Sequence, residues 1–126
     1  MMIDENQTFL YDTYALIEVL KNNPRYEKYT TKNVIINKFI FAEFCYKLFL
    51  DDVKDAREYL DELIPAIVKV DASIIERAML FRVKNKKRKM SMTDCISYIQ
   101  ARKLGVKFLT GDKEFENLEN VEFVKK

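Results

Sequence analysis

The stretch SMTDCISYIQARKLGVKFLTGDKEFE, residues 91–116, decides how this chain folds. Apolar residues recur there at spacings of three and four, Ser91 is a typical helix N-cap, and Gly105 stands where a helix would end in a left-handed residue. The VKFLT that follows is typical of a buried strand. A helix that returns through one glycine into a buried strand is half of a βαβ unit. Ligands of open α/β sheets bind beyond the carboxyl ends of the strands, and Asp112 comes just after such an end.

Length and composition predict one domain, spanning residues 1–126, with a single core. Hydrophobic residues make up 48% of the chain, charged residues 33%, and no apolar run approaches the ~20 residues that cross a membrane. The N-terminal MMIDENQ is unlike a signal peptide, so we expect a cytoplasmic protein with Cys45 and Cys95 as free thiols. A net charge of +2 permits nucleic acid as a partner without arguing for it.

The residue types that are missing exclude several classes of enzyme. The chain has no histidine, which excludes Ser-His and Cys-His nucleophile pairs, histidine zinc ligands and imidazole acid-base catalysis. It has only two glycines, which excludes the dinucleotide fingerprint and the P-loop. If the protein is an enzyme, its chemistry depends on carboxylates, lysines or tyrosines.

Along the whole chain, strand patterns alternate with helix patterns. Strands are predicted at 8–11, 34–36, 66–70, 106–110 and 121–124. Helices are predicted at 13–21, 38–50, 51–64, 72–83 and 91–104, with shorter helical turns within 25–32 and 113–118. This alternation is typical of a three-layer α/β/α sandwich with a mostly parallel sheet.

Four acids form the candidate site. Asp12 and Asp112 follow strands, Asp94 lies in the first turn of a helix, and Glu43 lies within an apolar helix. Each of the three aspartates also has a structural interpretation, as a helix cap, a capping-box residue or a turn residue. We expect Glu43 to be buried, where an ionised carboxylate costs several kcal/mol unless it is paired or binds a cation. An exposed position on that helix is the alternative.

If these acids converge, their mutual repulsion predicts a metal site. Two carboxylates about 4 Å apart repel by roughly 4 kcal/mol at an effective dielectric constant of 20. Four acids together therefore need a cation or must bind protons. Because all the ligands would be oxygens, the cation should be Mg²⁺ or Mn²⁺, which suits hydrolysis of a phosphodiester.

The segments LYDTYALIEVL, INKFIFAEFCYKL, MSMTDCISYIQARKLGVKFLTGDKEF and VEFV resemble the PIN domain over nearly its whole length. The resemblance is strongest to the single-domain toxin nucleases of VapBC toxin-antitoxin pairs. It implies that four acids bind Mg²⁺ or Mn²⁺ and catalyse cleavage of single-stranded RNA: Asp12, Glu43, Asp94 and Asp112. It also implies that the Thr110 hydroxyl supports them and that Thr13 orders the first loop.

The resemblance carries further implications for ligands and partners. Some members of the family have another acid one helical turn after Asp112, so Glu116 is an additional candidate metal ligand, with a solvated helix face as the alternative. Asp12 lies several residues later than the equivalent acid usually does. The family also implies single-stranded or structured RNA as a partner, a homodimer, and a VapB-type antitoxin whose tail lies across the acidic groove.

The segment KNKKRK, residues 84–89, is the strongest cluster of positive charge. It precedes the helix that carries Asp94, and it could bind RNA phosphates. Alternatively, it is a solvated helix end favoured by the helix dipole. Its candidate RNA-binding residues are Lys84, Lys86, Lys87, Arg88 and Lys89.

Several other functions are alternatives to a toxin nuclease. Within the PIN family, the chain could be an RNA-processing nuclease without an antitoxin, or a non-catalytic binding subunit. A receiver-type phosphorylation module, with Asp71 as phosphate acceptor, would need an adjacent acid pair after the first strand and a closing helix. A haloacid-dehalogenase-like phosphatase would need an aspartate where Tyr14 stands. The chain has neither the acid pair and closing helix of the first nor the second aspartate of the other.

Overall fold

Four parallel strands form the central sheet of the part of the chain that the computed structural model describes, residues 7–125. They are β1 (Thr8–Tyr11), β2 (Asn33–Ile35), β3 (Lys107–Thr110) and β4 (Val121–Phe123). The spatial order is β2-β1-β3-β4, and each neighbouring pair is parallel. Most of the MMIDENQ segment, residues 1–6, lies outside the described residues.

Within residues 7–125, five helices flank this sheet, which confirms the predicted α/β class. They are α1 (Thr13–Leu20), α2 (Lys38–Leu50), α3 (Ala56–Leu63), α4 (Ala72–Lys84) and α5 (Met92–Leu104). Short 3₁₀ helices cover Pro24–Tyr29, Ile64–Ala66 and Lys113–Phe115. Among these helices α1 packs on α2, α2 on α3, and α4 on α5. None of the helices in residues 7–125 is long and apolar enough to cross a membrane.

The α5–β3 unit forms as its sequence predicts. The Ser91 hydroxyl accepts the Asp94 N–H over 3.0 Å and starts α5. Gly105 ends the helix at φ 73°, a left-handed conformation that costs other residues free energy because of their Cβ. Phe108 and Leu109 of β3 are fully buried, and the Phe108 ring packs edge-on against Phe115. The core therefore fixes the end of β3, where Asp112 follows.

The predicted strand at 66–70 is wrong. A single isolated bridge joins Ile36 to Ile67 there. Pro65 lies in a 3₁₀ turn and has no N–H to give to a ladder. The carbonyls of Val68 and Lys69 accept hydrogen bonds from the Gln100 side chain, at 3.4 and 3.3 Å, instead of pairing with a strand.

The predicted helix at 51–64 is shorter than expected. It begins at Ala56, because α2 runs to Leu50 and Asp52 then adopts φ 50°. A left-handed residue interrupts an α-helix, so the charged residues of this connection form turns.

Candidate active site

The candidate site lies where the order of the strands reverses. β2 lies on one side of β1, whereas β4 lies beyond β3 on the other side. In α/β sheets such a switch point opens a crevice at the carboxyl ends of the two central strands. The Asp12 N–H donates to the Leu109 carbonyl over 3.0 Å, so the two strand ends are joined directly at this point.

Two of the four acids are held rigidly because they also cap helices. Asp12 is 3% exposed, and its Oδ1 accepts the Ala15 N–H over 2.6 Å at the start of α1. Asp112 Oδ1 accepts the Glu114 N–H over 3.0 Å, while its own N–H donates to the fully buried Thr110 hydroxyl, also over 3.0 Å. The structural interpretations of these aspartates are therefore correct, and the caps orient both carboxylates.

The pKa of Asp94 is raised by its surroundings, including the other three acids. Burial is the largest effect on its pKa, followed by the negative charges of Asp12, Asp112 and Glu43, and together they raise the pKa to about 7. The Ser91 hydroxyl lowers it by hydrogen bonding, which offsets only part of the effect. The structure thus brings all four predicted acids near enough to disfavour charge on one of them.

The expectation that Glu43 is buried is wrong. Its side chain is exposed, because α2 buries a single stripe made of Ile40, Phe44 and Leu48 and leaves its opposite face in solvent. The burial penalty therefore cannot explain why this helix carries a carboxylate. Glu43 is instead oriented by Thr13, whose hydroxyl donates to Glu43 Oε1 over 2.6 Å.

The four acids offer the ligand chemistry of a hard divalent cation. Every donor atom is a carboxylate oxygen, and the pKa of Asp94 is raised first by burial and then by the negative charges of the other three acids. Within residues 7–125, no three Asp, Glu or Cys side chains are arranged to hold a metal directly. Mg²⁺ keeps several waters and uses one or two carboxylates, so the residues fit such an ion without forming a closed cage.

Comparison with known proteins identifies the family. The sequence profile of the PIN domain matches residues 9–121. The chain belongs to the PIN domain family. No curated protein matches it.

Solved structures share this PIN fold. A toxin-antitoxin complex from Klebsiella pneumoniae gives a TM-score of 0.75 at 16% identity, covering 94% of this chain and 98% of the other. VapC20 of Mycobacterium tuberculosis, described as a sarcin-ricin loop cleaving toxin, gives 0.72 at 20% identity, covering 93% and 98%. A protein from Pyrobaculum aerophilum gives 0.68 at 17% identity, covering 93% and 89%.

Glu116 stands apart from the four acids of this PIN domain. Its side chain is exposed, and it is not among the charges that raise the pKa of Asp94. It lines a pocket together with Asp112. The structure therefore places Glu116 next to one candidate ligand and not among the group.

The basic segment, residues 84–89, is anchored beside the site. The Arg88 guanidinium donates to the Glu114 carbonyl over 2.5 Å, two residues after Asp112. At the base of the segment, Arg82 Nε donates to the Met90 carbonyl over 3.0 Å. The lysines of the segment are exposed. This geometry puts a strip of positive charge next to the loop that carries Asp112.

Sequence analysis missed a buried polar network that joins two of the acid-bearing helices. Asn37 is fully buried, its Oδ1 caps α2, and its Nδ2 donates to Ser97 Oγ and Gln100 Oε1, both at 3.0 Å. Ser97 lies one turn after Asp94 on α5. A signal was present, because Ser97 and Gln100 lie between apolar residues of α5, and buried polar groups almost always have hydrogen-bond partners.

Proposed function

We propose that this PIN domain is a metal-dependent endoribonuclease that hydrolyses phosphodiester bonds of single-stranded RNA, and that it is the toxin of a toxin-antitoxin pair. The observation that carries the proposal is the convergence of three negative charges on Asp94 at the switch point of the sheet. Membership of the PIN family and the fold shared with two toxin structures support it.

Each of the four acids would have a role that follows from the contacts that hold it. A bound Mg²⁺ or Mn²⁺ would supply an activated water and would neutralise charge on the phosphate. Asp12 and Asp112, fixed by their roles as caps, would hold the ion at the two strand ends. The pKa of Asp94 would fall with the ion bound, because the cation would offset the negative charges that add to the effect of burial. Glu43, oriented by Thr13, would face the substrate side.

The partners follow from the same proposal. VapC20 is described as a toxin that cleaves the sarcin-ricin loop, and the Klebsiella structure is a toxin-antitoxin complex. We propose a single-stranded RNA substrate, a VapB-type antitoxin and a homodimer for this chain as well. The proposed antitoxin partner is tested by expressing the chain alone and with the small protein encoded next to it. Growth arrest that the neighbour relieves would support the toxin assignment, and growth unaffected by the chain would contradict it.

Cleavage of labelled single-stranded RNA with Mg²⁺, with Mn²⁺ and with EDTA tests the nuclease directly. Asp12→Asn and Asp112→Asn are the variants of choice, since asparagine still caps a helix. Asp71→Asn is the matched control. Asp71 caps α4 in the same way, through the Ile74 N–H at 3.0 Å, but pairs with Lys103 outside the site.

The expected result is metal-dependent cleavage that Asp71→Asn retains and that both site variants lose by at least about 100-fold, or roughly 2.7 kcal/mol of barrier. Equal loss in all three variants would point to damaged helix starts and would contradict a catalytic role. Absence of cleavage with either metal, together with intact RNA binding, would favour a non-catalytic binding subunit.

A further inference from the structure

A pocket opens beside Asp112, and Asp94 is not among the residues that line it. It lies at the carboxyl ends of β3 and β4, the two strands at one side of the sheet. Its lining combines an aromatic ring, two ammonium groups and two carboxylates: Gly111, Asp112, Lys113, Glu116, Phe123 and Lys125. One wall of the pocket is therefore a candidate catalytic carboxylate.

Phe123 lines this pocket instead of packing in the core. It is the last residue of β4 and pairs in register with Thr110, at the level of the site. Its side chain is partly buried, and among the described residues it belongs neither to the hydrophobic core nor to a ring pair. By contrast, Phe108 and Phe115 are fully buried and packed against each other. The Phe123 ring is therefore open to a ligand in the pocket.

The two lysines of the pocket are exposed, and within residues 7–125 neither forms an ion pair. The backbone near Lys125 is nevertheless fixed. Its carbonyl accepts a hydrogen bond of 3.1 Å from Arg25, and the preceding carbonyl, of Val124, accepts one of 3.3 Å from the Tyr26 hydroxyl. Lys113 is held in the 3₁₀ turn that Asp112 caps. Both ammonium groups are thus carried by an ordered main chain.

This combination matches a nucleotide better than it matches a free anion or a metal ion. A phosphate would be attracted by the lysines, the π-face of a base would stack on Phe123, and N–H groups on a base edge would be acceptable beside Glu116. A site for a simple anion would not carry two carboxylates, and a metal site would not carry two ammonium groups.

We propose that the pocket is the subsite for a nucleotide next to the cleaved phosphodiester, with its base on Phe123 and its phosphate between Lys113 and Lys125. This rests on the proposed nuclease function, because Asp112 is the wall shared by the two sites. It adds a route for the RNA, which would pass from the basic segment, joined to the Glu114 carbonyl by Arg88, past Asp112 and into the pocket.

Binding of a labelled single-stranded oligoribonucleotide tests the subsite. The measurement is fluorescence anisotropy over a range of salt concentrations, in the Asp94→Asn background so that the RNA stays intact. Phe123→Leu keeps an apolar side chain but removes the ring, and Lys113→Gln with Lys125→Gln removes both charges. The matched controls are Phe49→Leu, an aromatic exposed on α2, and Lys21→Gln with Lys54→Gln, also exposed. Thermal melts establish that each variant is folded.

We expect Phe123→Leu to weaken binding roughly 5-fold or more, as loss of a base-stacking ring does. The double lysine variant should make the slope of log K against log salt shallower, by about 0.7 for each charge removed. The control variants should change neither. If wild type cleaves RNA but both pocket variants bind like the controls, the subsite is wrong and the nuclease stands. If wild type neither cleaves nor binds RNA, the proposed function and the subsite fail together.

Discussion

The Thr13 hydroxyl donates to Glu43 Oε1 over 2.6 Å, so the first residue of α1 orients the one acid that α2 contributes to the site. Thr13→Val keeps the shape of the side chain and removes the donor. We expect RNA cleavage to fall about tenfold, because a hydrogen bond to a charged group is worth about 1.5–3 kcal/mol. Stability should change little, since the pair is exposed. Cleavage assays should find most activity restored in Thr13→Ser, and equal activity of the two variants would contradict the role.

Asn37→Ala should be among the more destabilising single substitutions. It removes the cap of α2, worth about 1 kcal/mol. It also takes the donor away from the buried Gln100 and Ser97 oxygens, at about 1–3 kcal/mol. Urea unfolding should show a loss of about 3 kcal/mol, and Asn37→Ser, which keeps a capping oxygen, should lose less. A loss below about 1 kcal/mol in Asn37→Ala would show that the network adds nothing to the cap.

The stability of the metal-free protein should fall as the pH rises from about 4 to about 7. In this range the native state holds a proton on Asp94, whose pKa is raised to about 7, whereas the unfolded chain has released it. Protons therefore favour the native state, and the contribution is lost above pH 7. Urea unfolding in EDTA at pH 5 and pH 7.5 measures the slope. Asp71→Asn, outside the cluster, should keep that slope, and an unchanged slope in Asp94→Asn would assign it to another group.

Asp94→Asn should make the metal-free protein more stable and the metal response weaker. At pH 7.5 the substitution removes a charge that three neighbouring acids repel, so we expect the melting temperature in EDTA to rise by a few degrees. Stabilisation by Mn²⁺ should shrink, because a ligand is lost. A lower melting temperature in EDTA together with an undiminished Mn²⁺ response would rule out the crowding of charge at this site.

The basic segment is tested through the salt dependence of RNA binding. Replacing Lys86, Lys87 and Lys89 together with glutamine should reduce the slope of log K against log salt by about 2, at about 0.7 per phosphate contact. Arg88 is kept, because it ties the segment to the Glu114 carbonyl. The matched control replaces three exposed lysines elsewhere: Lys21, Lys54 and Lys69. The same change of slope in both triple variants would show that the segment contributes only general positive charge.

Sequence alone located the parts of the fold that depend on local signals. The Ser91 cap, the left-handed Gly105 and the buried run after it each act within a few residues, and all three form as predicted. Asp12 and Asp112 could be placed because the carboxyl ends of parallel strands share one edge of a sheet. That inference needs only the order of elements along the chain.

What sequence could not supply depends on which neighbours a segment meets. The pattern at 66–70 is typical of a strand, but only the structure shows that Gln100 of α5 binds the carbonyls of Val68 and Lys69. Glu43 lies among apolar residues in the sequence, yet the side of α2 that packs is decided by α1 and α3. Periodicity is ambiguous when nearly every position of a helix is apolar.

Asp12 and Asp112 each start a helical segment as well as contributing charge to the site. A descendant that no longer needed the chemistry would still need an oxygen acceptor at both positions. Drift there should therefore favour asparagine, serine or threonine over alanine. An inactive homologue would keep the backbone geometry of the carboxylate site. Only the missing negative charges would show that its activity had been lost.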